Sequence, residues 1–183
     1  ILTSSTFELN RTTTAGKNGG AVSATGNVSV TSSDFTSNSS TQWGGAVATL
    51  GSATVTDSTF QANTTRDNGG ALWIDDTATI SRSTFTDDTS GQFGGAVTAT
   101  DLRLQLSSFK GNQSGYGGAI YVWRSADVSN STLVGNYGAW GGAIGFNDSI
   151  VPSRIAFSTL VNNNAYVGVT AQGSAIIATG TTP

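Results

Sequence analysis

The 183-residue chain has no cysteine, no histidine and no methionine, and only 2 prolines. Without cysteine there is no disulfide framework and no thiolate metal site; without histidine the commonest general base and metal ligand is missing. Charge is equally scarce: 8 Lys and Arg against 11 Asp and Glu give a net charge of -3, and charged residues make up 10% of the chain. Groups so few and so dispersed form no basic stripe for nucleic acid and no polybasic patch for anionic lipid. No apolar run approaches the roughly 20 residues of a membrane helix. The sequence therefore predicts neither nucleic acid as a partner nor a transmembrane segment.

What is present is glycine, with 24 residues, together with abundant Ser and Thr and a 37% hydrophobic content. That bias disfavours helices and favours short strands joined by tight turns. The length fits one domain with a core, or a repeat array without a globular centre.

Aligning the double glycines decides between these. Gly19-Gly20, Gly44-Gly45, Gly69-Gly70, Gly94-Gly95, Gly117-Gly118 and Gly141-Gly142 recur about every 25 residues, with Gly173-Ser174 as a degraded copy. Phe7, Phe35, Phe60, Phe85, Phe109, Leu133 and Leu160 keep step with them. Each is followed three positions on by Asn10, Asn38, Asn63, Asp88, Asn112, Asn136 or Asn163. A serine stands two positions before each of these apolar residues, as in Ser33 and Ser58, and an aliphatic five before, as in Val30 and Val55.

Each unit thus holds three short apolar pieces, "ATVT", "STF" and "GGALWI", bounded by Asp, Asn, Gly and Thr, which reads as three strands. Helices fail because every unit carries two glycines at about 1 kcal/mol each against Ala. A propeller blade needs four strands in about 40 residues. Three strands in about 25 residues make one coil of a parallel β-helix, each coil stacked about 4.8 Å above the last. The expectation is a single all-β domain over residues 1–183: a right-handed parallel β-helix of about seven coils, part of a longer repeat array. Stacking turns equivalent residues into columns: Phe rings inside the rod, Asn amides bonded along it, glycines at tight turns with positive φ. Alternation turns Leu72 and Ile74, Ile120 and Val122, and Ile144 and Phe146 inward. The variable residues between them (Ser23, Ala48, Trp73, Thr98, Tyr121, Gly145, Ile177) are then placed on an outer face.

The paired words Phe-x-x-Asn and Gly-Gly-Ala-Ile, with Val and Leu variants, resemble the repeat of the chlamydial polymorphic membrane proteins and of related bacterial surface β-helix proteins. They stand at Phe7/Asn10, Phe35/Asn38, Phe60/Asn63 and Phe109/Asn112 and in six Gly-Gly-Ala words. Asp88, Leu133, Leu160 and Ser174 depart from the pattern. The resemblance implies an adhesin-like passenger, stalk or filament segment, secreted or displayed at the cell surface. Its implied partner is a protein or glycan of a host or neighbouring cell, or further copies of the chain end to end.

Candidate sites follow from the columns. Trp43, Phe93, Tyr116 and Trp140 stand directly before double glycines, while Trp73 and Tyr121 lie on the outward side of the next strand with Trp123 beyond. Such a ridge suits sugar rings or protein contacts if exposed, and packing at a bend if not. Seven residues from each first glycine, a turn column reads Gly26, Gly51, Asp76, Asp101, Arg124, Asp148. Asp76 and Asp101 there form either a surface ion pair with Arg124 or a weak calcium site. Parallel β-helices include polysaccharide-degrading enzymes, so a carbohydrate-binding or carbohydrate-cleaving chain is the alternative; Lys17 and Lys110, the only lysines, fall away from that column. The sequence therefore predicts a non-enzyme with no catalytic residues and no cofactor. Four sequons coincide with the inward Asn column; Asn27, Asn130 and Asn147 are the acceptors for glycans if the source is eukaryotic.

Overall fold

A computed structural model describes residues 1–147, 152–165, 173 and 175–178. The described residues are strands, bends and turns without a helix, and every strand pairing is parallel. They form three sheets that are the walls of a solenoid: a long wall of 11 strands, a Phe wall of 7 and a short wall of 6. Seven strands in the Phe wall and six in the short wall make about six full turns, against the seven coils expected.

The walls are distributed over the sequence differently from the expectation. The "GGAL" and "ATVT" pieces do not form separate walls; both belong to the long wall. In the middle coils they fuse into single bent strands, Leu72–Ser81, Val97–Gln105 and Ile120–Ser129. The bend is a bulge, with the register shifting between Ile74 and Thr77 and between Ala99 and Asp101. The third wall consists of polar pieces such as Ser39–Ser40, Thr64–Thr65 and Thr89–Ser90, which carry no hydrophobic signal. Their inward hydroxyls bond to the chain itself: Thr65 Oγ1 donates to the Gln42 carbonyl at 2.8 Å and Ser90 Oγ to the Phe93 carbonyl at 3.0 Å. A hydroxyl satisfied in this way can be buried without an apolar neighbour.

Vertical register holds throughout the Phe wall, from Phe7 over Phe35 to Leu133 over Leu160. The phenylalanine rings stack with centroids 4.6, 4.8, 4.8 and 4.5 Å apart, within 8° of parallel. Phe35, Phe60, Phe85 and Phe109 are completely buried, facing the aliphatic columns of the long wall. Burial of such side chains, roughly 1.5–3 kcal/mol each, is the principal apolar contribution.

Two side-chain ladders clamp the corners on either side of the Phe wall. At one, Asn38 accepts the Asn10 backbone N–H on Oδ1 at 3.0 Å while its Nδ2 donates to Asn63 Oδ1 at 3.0 Å and to the Phe7 carbonyl at 2.9 Å. At the other, each serine accepts a backbone N–H from the coil before it, as Ser58 does from Ser33 at 3.1 Å, and donates to the carbonyl two residues back. Directly before each ladder residue the backbone is left-handed, with φ from +47° to +56° at non-glycine positions such as Ser32, Asp57, Ala62, Arg82 and Leu106. Each costs roughly 1–2 kcal/mol, which ladder bonds of about 1 kcal/mol each offset.

The two glycines of each pair have different reasons. The first has φ between +59° and +68° in Gly19, Gly44, Gly69, Gly94, Gly117 and Gly141. The second has no room: a Cβ on Gly45, Gly70 or Gly95 would collide with the carbonyl oxygen of Gly70, Gly95 or Gly118 in the next coil. The alanine that follows is fully enclosed (Ala46, Ala71, Ala96, Ala119, Ala143), and the Ala71 carbonyl accepts both the Ala46 and the Val47 N–H at 3.0 Å.

Candidate functional site

The residues before the double glycines form a column on the outside of the rod, with Trp43, Asn68, Phe93, Tyr116 and Trp140 in successive coils. Beside it runs the outward column of the long wall, and here the expectation needs correction. Apart from Ser23, that outward column is not open to water: Ala48, Thr98, Tyr121 and Ile177 are at most 4% exposed and Trp73 is 8% exposed. The rings of the first column bend across the second. Trp43 stacks on Trp73 at 4.4 Å, and Phe93 meets Tyr121 at 4.5 Å and Trp123 at 5.1 Å. Tyr116 and Trp140 lie parallel, 5.9 Å apart. In two successive coils the sizes alternate, Trp43 beside Ala48 and Asn68 beside Trp73, whereas Tyr116 and Tyr121 meet edge-on with centroids 6.5 Å apart.

The proposed ridge therefore divides. Trp73 and Tyr121 are packing residues beneath a second, external apolar layer. Trp43, Phe93, Tyr116, Trp123 and Trp140 are half-buried and present ring surface to the side of the rod, the last four as one cluster.

At the bend of the long wall, Asp101 and Arg124 meet as the sequence suggested. Arg124 Nε donates to Asp101 Oδ1 at 2.9 Å, its Nη2 donates to Oδ2, and Ser125 Oγ adds a bond to Oδ1 at 2.6 Å. These bonds, Arg124 first, hold the Asp101 carboxyl below its ordinary pKa. Asp76 does not stack on Asp101; the bulge slips the register by one, so Thr77 lies opposite Asp101 and Asp76 accepts from Ser52 Oγ at 2.8 Å. Among the described residues no three acidic side chains gather around one point as a cation site would require. Asp148 and Ser174 lie outside the described residues.

Asn38, Asn63 and Asn112 are fully buried in the amide ladder, as the column demanded, while Asn10 in the first coil is exposed. Of the glycan acceptors, Asn27 and Asn130 are exposed and Asn147 is half-buried. Asn27 Oδ1 accepts the Ser52 N–H at 3.0 Å, and Asn130 occupies a left-handed turn.

Asp88 is the irregular rung of the ladder. Its Oδ1 accepts from the Asn63 backbone at 2.8 Å and from Asn63 Nδ2 at 2.9 Å, as an asparagine would. Its Oδ2 occupies the place of the amide nitrogen that elsewhere donates to a Phe carbonyl, and it has no partner. Burial pushes this carboxyl up to about 8, against the opposing bonds from Asn63 and with a further rise from the Asp87 charge. Asp88 is thus a neutral acid at pH 7.

Two features escaped the sequence reading. One is the short wall, hidden because its first three strands, Ser39–Ser40, Thr64–Thr65 and Thr89–Ser90, are polar. The other is a trough along that wall, lined by Gln42, Arg66, Asp67 and Gln92 and continuing past Gly91 to Gln113 and Tyr137. The vertical register of Gln42, Asp67 and Gln92 could have revealed it.

The architecture is a parallel β-solenoid whose coil repeats the Ser, Phe, Asn and Gly-Gly-Ala columns. Residues 107–122, which hold Ser107, Phe109, Asn112 and Gly117-Gly118-Ala119-Ile120, match the family model of the Chlamydia polymorphic membrane protein repeat. No curated protein and no solved structure matches the chain. The match covers 16 residues, part of one coil, and the same words in the other coils occupy the same wall positions. The likeness is to a repeat of bacterial membrane proteins.

Proposed function

We propose that the chain is a non-enzymatic, adhesin-like shaft of a bacterial surface protein, which contacts a protein of a host or neighbouring cell through its side. One observation carries the reading: the Phe column, continued by Leu133 and Leu160, and the backbone-to-Oδ1 bonds of the Asn column, through Asp88 as well, hold one register from the first coil to Leu160 and Asn163, in a chain with a surface-repeat motif. A rod with in-register ladders resists bending and unfolding, as a spacer that carries a contact away from a membrane must. The half-buried cluster of Phe93, Tyr116, Trp123 and Trp140 supplies rigid aromatic anchors at little entropic cost. The non-enzymatic reading is supported by Asp101, whose carboxylate oxygens are both engaged by Arg124.

Beads coated with the purified chain are expected to adhere to target cells, and soluble chain to compete. The double change Tyr116→Ala and Trp123→Ala is expected to reduce retention severalfold while leaving the circular dichroism spectrum intact. Retention no better than with uncoated beads, or antibody labelling of the source cells only after permeabilisation, would refute the proposal.

A further inference from the structure

The outer side of the short wall is concave, and the concavity runs along the rod. One cavity of about 590 Å³ is lined by Thr41, Gln42, Arg66, Asp67 and Gln92. A second, of about 430 Å³, begins at Ser90 and Gly91 and continues past Gln113 to Tyr137 and Ala139. Gly91 and Gln92 are chain neighbours, so the two cavities adjoin. From the coil of Thr41 to that of Ala139 the trough spans four steps, about 20 Å at the usual strand spacing. Each cavity falls within the roughly 300–1,000 Å³ of small-ligand clefts.

The lining differs from the apolar walls of most such clefts. Gln42, Asp67 and Gln92 lie in successive coils, with the Asp67 N–H donating to the Gln42 carbonyl at 3.2 Å and the Gln92 N–H to the Asp67 carbonyl at 2.8 Å. The side chains of Gln42, Arg66, Gln92 and Gln113 make no hydrogen bond or ion pair with another described residue. Planar amide and guanidinium groups thus repeat at coil spacing in a concavity whose one positive and one negative charge, Arg66 and Asp67, cancel. The floor is kept low by backbone packing: a Cβ on Gly91 would strike the Arg66 carbonyl oxygen, and one on Gly115 would lie 3.0 Å from the Gln92 carbonyl oxygen.

From this geometry we propose that the trough binds a linear, uncharged oligosaccharide lying along the rod axis. Sugar hydroxyls match amide and guanidinium donors and acceptors arranged in a row, and the Tyr137 ring offers a face for one sugar at the far end. An extended peptide fits less well, because strand addition needs an unpaired sheet edge and this trough lies on a face whose strands pair from coil to coil. Gln92, Gly115 and Ala139 directly precede Phe93, Tyr116 and Trp140, but no ring of that cluster lines either cavity, so substitutions tell the two sites apart.

The test titrates the purified chain calorimetrically with neutral glucose, mannose and N-acetylglucosamine oligomers of increasing length, with an oligogalacturonate as the acidic comparison. Affinity for one neutral series is expected to rise with chain length. The double variant Arg66→Ala, Gln92→Ala, with unchanged melting, is expected to raise its Kd at least roughly tenfold. Trp123→Ala is expected to leave that Kd unaltered. Binding to none of the neutral series, binding confined to the acidic oligomer, or full affinity in the double variant would each overturn the inference. So would loss of affinity in Trp123→Ala alone, which would move the sugar to the ring cluster.

Discussion

Replacing Asp88 with asparagine should stabilise the rod, and by an amount that depends on pH. Asp88 has an ordinary pKa of 3.8 and one of about 8 in the fold. A carboxyl that holds its proton more tightly when folded makes folding take up a proton between those two values. Stability is therefore undiminished below about pH 4, falls as pH rises, and levels off above about pH 8. At pH 7 the difference from the unfolded value corresponds to about 4 kcal/mol, at roughly 1.4 kcal/mol per unit. Asparagine removes that dependence. It also restores an Nδ2 donor of the kind that Asn63 and Asn112 direct to the carbonyls of Phe35 and Phe85, a gain of about 1 kcal/mol per bond. Urea denaturation of the parent and of Asp88→Asn across pH 5 to 9 measures the effect. The variant should be the more stable throughout that range, already by about 1.5 kcal/mol or more at pH 5, which lies above the ordinary value of 3.8, and the gap should widen steadily towards pH 8. A parent whose stability is flat or rises over that range, or a variant less stable than the parent at pH 8, would refute the reasoning.

Two further perturbations test the columns. Phe85→Ala, between Phe60 and Phe109, should cost about 3–5 kcal/mol in the same denaturation assay. Phe85→Leu should cost less than about 2 kcal/mol, since Leu133 already fills this column without exposure; equal losses would show that the ring stack is not the source of the effect. Gly70→Ala meets the Gly95 carbonyl oxygen and should lower stability by more than about 2 kcal/mol. Gly26→Ala, with nothing within 4 Å, should stay within about 0.5 kcal/mol, and a reversed order in thermal melts would contradict the packing account.

Much of the fold was legible because a solenoid writes its geometry into the sequence. When position i of one coil lies over position i of the next, Phe over Phe and Asn over Asn, periodicity in the chain and contact in space are the same fact. The inward column from Leu2 to Ile155, the buried amides and the positive φ of the first glycines followed from that alone. The family resemblance was equally readable, since its motif is the coil itself.

The sequence by itself determined the parallel coils, their period and the residues that stack within them, because those depend only on repetition and on local strand and turn chemistry. The tertiary structure decided how the chain divides among walls, which outer residues remain exposed, and where the register slips. The short wall is built from hydroxyls that satisfy carbonyls across a corner, a property no hydrophobic pattern records. Trp73 and Tyr121 are covered only because rings from a neighbouring column lean over them. The bulge after Ile74 sets Thr77 rather than Asp76 opposite Asp101. In each case the outcome depends on the distance between side chains that are remote in the chain, and a one-dimensional pattern contains no distances.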